Sequence, residues 1–283
     1  MAKKAKVFTK PGMLLAWLCI AILVVVSVYP ILYALLGSLK TNAELTLGGS
    51  ILPKEFKWSN YSQAFVTSNF GLYSRNSLVI SVITMLIAML TCSLVGYVLA
   101  RFTFFGKKVM LVMYSMMMFV SIGSVALYPI KIFLSRFTLD NTLLALILVL
   151  TGSQITNVFL VMGFVKGVPR ELDEAACIDG CSIFSTYWRI ILPLIRPILG
   201  VVALFTFRNT WNDYITTLIM TMSNKSMTTL TVAVVQLKYS VSAAAEWHIM
   251  LAGASIAIIP ILILYIVTNK QFIAGLTAGA VKG

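Results

Sequence analysis

The sequence predicts an all-α integral membrane protein with six transmembrane helices. Three observations support this fold class: 59% of the residues are hydrophobic, 11% are charged, and the mean hydropathy is +0.94. Ordinary soluble domains carry about 25% charged residues, so this composition is typical of a chain embedded in lipid. Apolar runs of about 20 residues, long enough to cross a bilayer as one helix, recur along the chain. The six runs are residues 13–36, 77–100, 109–127, 143–165, 198–220 and 249–268.

The first run follows a basic N-terminus that contains Lys3, Lys4, Lys6 and Lys10. A secretory signal peptide starts similarly, but its apolar core is usually only about 7–15 residues long. We therefore expect the first run to be retained as a transmembrane helix.

The longest stretch without an apolar run is the 38–76 loop, which is too short for a soluble domain of about 100 residues. The chain is therefore predicted to be one membrane-organised domain over residues 1–283. Aromatic residues along this loop fit an amphipathic interfacial helix after Ser59. They are Trp58, Tyr61, Phe65, Phe70 and Tyr73. Two interpretations are open: anchoring in lipid headgroups, or contact with a partner protein.

Lysine and arginine are distributed unequally between alternate loops. The loops on the side of the two termini hold thirteen, the opposite loops hold eight, and Arg208 lies within a span. Because Lys and Arg accumulate in cytoplasmic loops, both termini are predicted to be cytoplasmic and the 38–76 loop extracytoplasmic. The net charge of +13 mostly reflects this topology. No basic patch with interleaved aromatic residues indicates nucleic-acid binding.

Residues 166–197, here called the charged segment, separate the fourth and fifth runs on the predicted cytoplasmic side. Pro169 suits a first helical turn, the acidic residues after it suit a helix N-terminus, and Gly180 suits the helix end. This pattern predicts a helix of about three turns, a glycine break, and a second helix over residues 182–191. Because charge is costly in hydrocarbon, the segment must lie in water. It is either a solvated loop or a docking surface that a partner approaches over the small Ala175 and Ala176.

Reactive groups are scarce in this sequence. Gly106-Lys107-Lys108 lacks the earlier glycine and the hydroxyl of a phosphate-binding loop, so the chain is not expected to bind ATP in that way. No nucleophile elbow or zinc-binding helix motif is found, and the lone histidine, His248, suits a solvated helix cap. The four cysteines have no metal or disulfide spacing. We therefore predict no catalytic residue, no metal site and no enzyme activity.

Several motifs resemble the inner-membrane permeases of ABC importers. The charged segment is similar to the EAA loop of that group. The matching residues are Glu174-Ala175-Ala176, Gly180 after three further residues, Ile190-Ile191-Leu192-Pro193-Leu194, and Pro197. The ending Gly275-Leu276-Thr277-Ala278-Gly279 with Val281-Lys282-Gly283 narrows the resemblance to the carbohydrate (maltose-type, MalG-like) family. Further matches run nearly end to end, at Tyr29-Pro30, residues 75–78, 96–102, 106–107, 139–142 and 211–213, and Phe272.

The resemblance implies a subunit of an ATP-driven, binding-protein-dependent sugar importer in a bacterial inner membrane. Its implied partners are a second homologous permease, two cytoplasmic ATPase subunits, an extracytoplasmic solute-binding protein and the transported sugar. The resemblance favours an oligosaccharide as that sugar. ATP and Mg would be bound by the ATPases, and no cofactor by this chain. The implied ATPase-coupling residues are Glu174, Ala175, Ala176, Asp179, Gly180, Ile191 and Pro193. The 270–283 tail would reach the ATPase through Gly279, Lys282 and Gly283, although its composition alone suggests a frayed terminus.

The fifth run contains unusual polar residues near its middle. Asn209, Asn212 and Asp213 share one face of a continuous helix by i, i+3, i+4 spacing, and polar groups at that depth must face protein or water. With Trp211 and Tyr214 they are candidates for contact with the transported sugar, because sugars stack on aromatic rings and bond to amides and carboxylates. The alternative is that they only hold helices together.

Two other classes of function remain open at this point. An ion- or proton-coupled secondary transporter, or a channel, would use the intramembrane Arg208 and Asp213 and would not need the helix in the charged segment. A membrane-embedded enzyme is disfavoured because no reactive constellation is found. A secondary transporter should work alone, whereas an importer permease should be inert without its ATPase.

Overall fold

The computed structural model describes residues 10–48, 50–67, 69–119, 123–140, 142–152, 154–237 and 246–280. Within these ranges every regular element is helical, as the composition predicts. The α-helices are α1 (Lys10–Gly37), α2 (Asn42–Leu47), α3 (Ser59–Thr67), α4 (Phe70–Arg101), α5 (Lys107–Phe119), α6 (Leu127–Ser135), α7 (Leu143–Gly152), α8 (Ile155–Gly167), α9 (Glu171–Ile178), α10 (Ile183–Thr186), α11 (Leu192–Leu194), α12 (Arg196–Trp211), α13 (Ile215–Thr221), α14 (Leu230–Gln236) and α15 (Trp247–Ala280). Short 3₁₀ helices cover Gly123–Ala126 and Lys225–Met227, and Tyr187–Ile191 is a π-helix.

Three described helices are long and apolar enough to cross a membrane alone: Met13–Gly37 in α1, the whole of α4, and Trp247–Asn269 in α15. Three helix pairs would each make a further span despite a bend of more than 40° between their halves. These pairs are α5 with Gly123–Ser135, α7 with α8, and Ile183–Leu194 with α12. The described residues therefore contain three spans, or up to six if each bent pair is counted as one.

The helices predicted over 143–165 and 198–220 are not single straight helices, and the middle of the run over 109–127 lies outside the described residues. The fourth run bends by 51° between α7 and α8, and the fifth run breaks between α12 and α13. Apolar composition measures only how well a segment suits lipid. A local break is set by polar side chains and packing partners, which a hydropathy window averages away.

The chain forms two compact units, Met1–Asn69 with Val234–Ile256, and Phe70–Ala233 with Ala257–Gly283. In the first, the Asn60 amide donates hydrogen bonds to the carbonyls of Ser38 and Lys40, each 2.8 Å long. The Ser38 and Tyr61 hydroxyls lie 2.7 Å apart. These bonds fix the start of the predicted interfacial helix, which is α3.

The 38–76 loop is shorter than predicted because α4 already begins at Phe70, which is fully buried. The first two turns of α4 contain Ser74, Arg75, Asn76 and Ser77, so a hydropathy scan excludes them from the span. The last helix continues beyond its membrane-crossing part: α15 runs to Ala280, whereas the part that is long and apolar enough to cross a membrane, Trp247–Asn269, agrees with the predicted run over 249–268.

The core of the second unit is formed where α4 packs against α8 and α12. Its buried side chains include Tyr97, Val161, Ile191 and Val202. Gly96 permits the close approach of α8, because a Cβ atom at this position would lie 2.7 Å from Cγ1 of Val161. This packing positions the charged segment, which follows α8 directly.

A buried polar cluster joins α8 to α12 at the bend of the fourth run. The Asn157 amide donates hydrogen bonds to Oε1 of Gln154, at 2.6 Å, and to Oγ1 of Thr206, at 3.1 Å. The Thr206 hydroxyl in turn donates to Oε1 of Gln154 at 3.2 Å. Such satisfied polar contacts hold helices together in hydrocarbon, so the bend at Gln154 is fixed by side chains on two helices.

Candidate functional site

The charged segment folds as a helix, a glycine break and a second helical stretch. Helix α9 begins at Glu171, and its first turn carries the acidic residues that the sequence analysis placed there. Gly180 has φ +75°, a left-handed conformation that an L side chain adopts only with strain. Ser182 then caps the next helix by accepting a hydrogen bond from the backbone N–H of Ser185. Helix α9 has 8 residues, about one turn fewer than predicted.

The second stretch is longer than predicted because it runs from Ile183 to Leu194 without stopping at Ile191. Pro193 lies directly after the π-helical turn Tyr187–Ile191, and the stretch ends one residue beyond it, at Leu194. The stretch meets α12 at a bend of 78°.

The predicted ATPase-coupling residues do not share one exposed surface. Glu174, Ala175, Asp179 and Gly180 are exposed. Ala176 is 3% exposed and Ile191 is completely buried, so neither presents its side chain to a partner in this structure. Pro193 is half-buried. Ala176 therefore packs closely within the chain, and the approach of a partner over Ala175 and Ala176 stays a prediction.

Exposed apolar side chains flank the glycine break. Ile178 is 87% exposed, Ile183 62% and Phe184 69%. These residues are not evident in the sequence because they stand among charged and polar neighbours. Large apolar side chains exposed together are typical of a contact surface for another protein or for a membrane.

The inner side of α9 is held to α4 by a buried ion pair. Nε of Arg101 lies 2.9 Å from Oδ2 of Asp173, and the two side chains are 5% and 22% exposed. The Tyr97 hydroxyl donates a hydrogen bond to Oδ1 of Asp173 at 3.2 Å. Arg101 also donates from Nη2 to the carbonyl of Val168 at 2.9 Å. In the sequence, Tyr97 and Arg101 stand out only as residues that match the permease family, and no pattern there predicts this role.

The break in the fifth run opens a polar hollow of about 420 Å³. It is lined by Arg208, Asn209, Asn212, Asp213, Tyr214 and Ile215. Helix α12 ends at Trp211 and α13 starts at Ile215, so the expected continuous helical face does not exist. The three predicted polar residues are nevertheless brought together, because the chain turns at Asn212 and Asp213.

Asp213 is engaged by the helix that follows it. Its Oδ1 accepts hydrogen bonds from the backbone N–H of Thr217, at 2.8 Å, and from the Thr217 hydroxyl, at 3.0 Å. Its Oδ2 accepts one from the Thr216 hydroxyl at 2.9 Å. Asp213 therefore caps α13. In the part of the chain that the structure describes, Arg208, Asn209 and Asn212 make no side-chain hydrogen bond.

The structure does not place Trp211 in the polar hollow. This indole is 2% exposed, stacks on Phe207 with ring centroids 5.6 Å apart, and donates from Nε1 to the carbonyl of Ala257 at 3.0 Å. Both of its faces are thus unavailable to a sugar. Of the predicted tail residues, Gly279 lies in α15, whereas Lys282 and Gly283 lie outside the described residues.

Comparison with known proteins identifies the family. The family model described as "Binding-protein-dependent transport system inner membrane component" matches residues 92–272, which include the charged segment and the polar hollow. The chain belongs to this family. The permease is therefore a membrane-embedded, multi-pass transport subunit and not a catalytic enzyme, and the resemblance to ABC importer permeases is confirmed.

Individual relatives extend the similarity over nearly the whole permease. It is 32% identical to the arabinooligosaccharides transport system permease protein AraQ of Halalkalibacterium halodurans, covering 97% of this chain and 99% of that protein. It is 31% identical to the galactooligosaccharides transport system permease protein GanQ of Bacillus subtilis, covering 96% of each. The probable starch degradation products permease AmyC of Thermoanaerobacterium thermosulfurigenes is also 31% identical, over 89% of this chain and 91% of that protein.

A solved structure shows the same fold. It is a bacterial ABC transporter involved in the import of the acidic polysaccharide alginate, and one of its chains superposes with a TM-score of 0.78 at 19% identity. The match covers 95% of the permease and 100% of that chain. The permease therefore shares the overall fold of that transporter chain.

Proposed function

We propose that the permease forms half of the translocation pathway of an ATP-driven, binding-protein-dependent oligosaccharide importer. The observation that carries this proposal is the exposed surface of the charged segment. It presents Glu174, Asp179 and three large apolar side chains to water, while Asp173 holds the opposite side of α9 to a transmembrane helix. Relatives of similar length whose names specify oligosaccharide transport support the substrate class.

The proposed assembly contains this chain, a second homologous permease, two cytoplasmic ATPase subunits and an extracytoplasmic solute-binding protein. Six spans are proposed, the fifth of them over residues 198–220, with both termini in the cytoplasm of a bacterial cell. Glu174, Ala175, Asp179, Gly180 and Pro193 would lie at or near the ATPase, together with the tail residues Gly279, Lys282 and Gly283. ATP and Mg would be bound by the ATPases, with no cofactor on this chain.

ATP-driven closure of the ATPase pair would move the charged segment and the helices attached to it. This rigid-body motion would convert the pathway between inward-facing and outward-facing forms. Asn209, Asn212 and Asp213 are proposed to line that pathway, since amide and carboxylate groups bond to sugar hydroxyls. Trp211 would pack behind the residues that line the polar hollow and would not contact the sugar.

The experiment is purification of the complex from its native membrane in mild detergent, followed by assays of ATP hydrolysis and transport. We expect a second permease and an ATPase to co-purify, and hydrolysis to rise when binding protein loaded with the cognate sugar is added. The sugar that stimulates hydrolysis identifies the substrate. A chain that purifies alone and moves solute without ATP would instead be a secondary transporter.

A further inference from the structure

Helix α4 contacts both helical parts of the charged segment through one polar stripe, formed by Ser93, Tyr97 and Arg101. These residues are four apart, so they lie on one face of the helix. Tyr97 and Arg101 bind Asp173 in α9, as described above. Ser93 Oγ lies 2.6 Å from the hydroxyl of Tyr187, which belongs to the second helical part.

The Ser93 and Tyr97 part of the stripe is almost inaccessible to water, and at its Arg101 end the partner Asp173 is 22% exposed. Ser93 and Tyr187 are each 1% exposed and Tyr97 is 4% exposed. The rings of Tyr97 and Tyr187 also pack with centroids 5.6 Å apart. Because water cannot replace these contacts, separating α4 from the charged segment would leave a charge and several hydroxyls unpaired. The two elements are therefore expected to move together.

The other end of α4 is attached in a similar way to the chain that follows the polar hollow. The Asn76 amide donates hydrogen bonds to the carbonyls of Ser226, at 2.8 Å, and Thr228, at 3.1 Å. The Ser77 hydroxyl accepts one from the backbone N–H of Leu230 at 2.9 Å. At 1.5 Å per residue, about 38 Å of unbroken helix separates Asn76 from Arg101.

We infer that α4 is the helix through which motion of the charged segment reaches the far side of the permease. The positioning residues lie at the end of α4 that contacts the charged segment, and they are Arg101, Tyr97 and Asp173. This inference rests on the proposed function, because it specifies how ATPase movement enters the transmembrane part. Glu174, beside Asp173 but exposed, has the different role of facing the ATPase.

The test measures sugar transported per ATP hydrolysed, using the complete transporter in proteoliposomes. Asp173→Asn removes the charge that Arg101 neutralises and keeps the side-chain size. We expect co-purification of all subunits and near-normal ATP hydrolysis, with the transport-to-hydrolysis ratio reduced at least threefold. Glu171→Gln is the matched control, since it removes a charge from the same helical turn, and the exposed Glu171 side chain makes no hydrogen bond or ion pair with α4 among the described residues. Its ratio should equal that of the wild type.

A double-mutant cycle separates a specific link from general damage. If Arg101 and Asp173 act as one pair, Arg101→Gln combined with Asp173→Asn should lower the ratio no further than the more damaging single change. The inference would be overturned if the double variant lowered the transport-to-hydrolysis ratio by the product of the two single effects. An unchanged ratio in Asp173→Asn would also overturn it. Should the charge variants fail to assemble, Tyr97→Phe removes only one hydroxyl from the same link. A wild-type ratio in Tyr97→Phe would then overturn it.

The control arms distinguish this inference from the proposed function. If the wild-type complex shows no sugar-stimulated hydrolysis, the proposed function fails. If the wild type is coupled and the variants are coupled equally well, only the role of α4 fails.

Discussion

At the scale of single residues, neighbouring positions around the break in the fifth run have opposite environments. Trp211 is buried against Phe207 and bound to the carbonyl of Ala257, whereas Asn212 is exposed in the polar hollow. Asp213 lines the hollow and also caps α13. One tripeptide therefore combines a packing residue, a free polar residue and a helix cap, and substitutions at its three positions should have different effects.

Asn212→Ala is expected to reduce transport of the cognate sugar several-fold without loss of the assembled complex. The Asn212 amide makes no side-chain hydrogen bond within the described chain, so its removal costs little folding stability, but it removes a group that can bond to a sugar. Transport by reconstituted complex and subunit recovery on purification measure the two effects.

Trp211→Ala is the contrasting control, because loss of a buried aromatic side chain costs about 3–5 kcal/mol of folding stability. A lower unfolding temperature and poor recovery are expected for this variant. If Asn212→Ala shows the same loss of recovery while its remaining complex transports normally, the polar residues serve helix packing and not the pathway.

At the scale of elements, the two helical parts of the charged segment depend on the turn between them. Gly180 is in the left-handed region, and Ser182 starts the next helix two residues later. This turn determines which side chains of α9 and α10 are exposed together. The turn should therefore be more sensitive to backbone conformation than to side-chain volume, since a Cβ atom on Gly180 would meet no atom within 4 Å.

Gly180→Val and Gly180→Pro are expected to uncouple ATP hydrolysis from transport, because both residues disfavour a positive φ. A left-handed conformation costs an ordinary L residue about 1–2 kcal/mol. Gly180→Asn is the matched variant, since asparagine tolerates this region better, and it should retain more coupling than Gly180→Val. Transport per ATP in proteoliposomes measures the effect. Equal coupling in the valine and asparagine variants would contradict the backbone explanation.

The cap of α2 provides a pH prediction for the 38–69 loop. Glu44 accepts hydrogen bonds from the backbone N–H groups of Thr41 and Lys54, each 3.0 Å long, and these bonds lower the pKa of its carboxyl. A lowered folded-state pKa stabilises the loop above the pKa of the unfolded chain, and this contribution is lost as the pH falls through the folded-state pKa. Acidification should therefore increase amide hydrogen exchange in α2.

Glu44→Gln removes the titrating carboxyl. Amide hydrogen exchange in α2 should then change little with pH, after correction for the intrinsic pH dependence of exchange. The Glu55 carboxylate, which pairs with Lys57 in the same loop, remains as an internal comparison. A pH response in Glu44→Gln as large as in the wild type would assign the effect to another group.

At the scale of the whole molecule, the apolar side chains around the glycine break indicate a specific subunit contact. Ile178→Ser and Phe184→Ser are expected to reduce co-purification of the ATPase at least several-fold, because each removes exposed apolar surface that a partner would bury. Recovery of the second permease should stay normal, since these residues lie outside the six apolar runs of the sequence. Quantification of each subunit after affinity purification separates the two interfaces.

Phe105 provides the control for this assembly prediction. Its side chain is fully exposed in the turn between α4 and α5, outside the charged segment, so Phe105→Ser should leave the ATPase bound. Equal loss of ATPase in Phe105→Ser would indicate general destabilisation by loss of apolar surface. Full retention of the ATPase in both Ile178→Ser and Phe184→Ser would exclude these side chains from the interface.

Local sequence patterns determined which parts of this protein suit lipid and which suit water. The apolar runs, the basic N-terminus and the charged segment each follow from composition over about 10–20 neighbouring residues, because transfer free energies add along a short stretch of chain. The acidic first turn of α9 and the glycine break were likewise predictable, since helix ends depend on a few adjacent residues.

Only the tertiary structure decided how these parts are connected. The link from Tyr97 to Asp173 joins residues 76 positions apart, and the burial of Ala176, Ile191 and Trp211 depends on which neighbours pack against them. The break that forms the polar hollow depends on both local and distant partners, including the Thr231 hydroxyl that donates to the carbonyl of Trp211 at 2.6 Å. Hydropathy records the preference of a segment for its solvent, whereas such contacts arise from helix packing, which local composition does not encode.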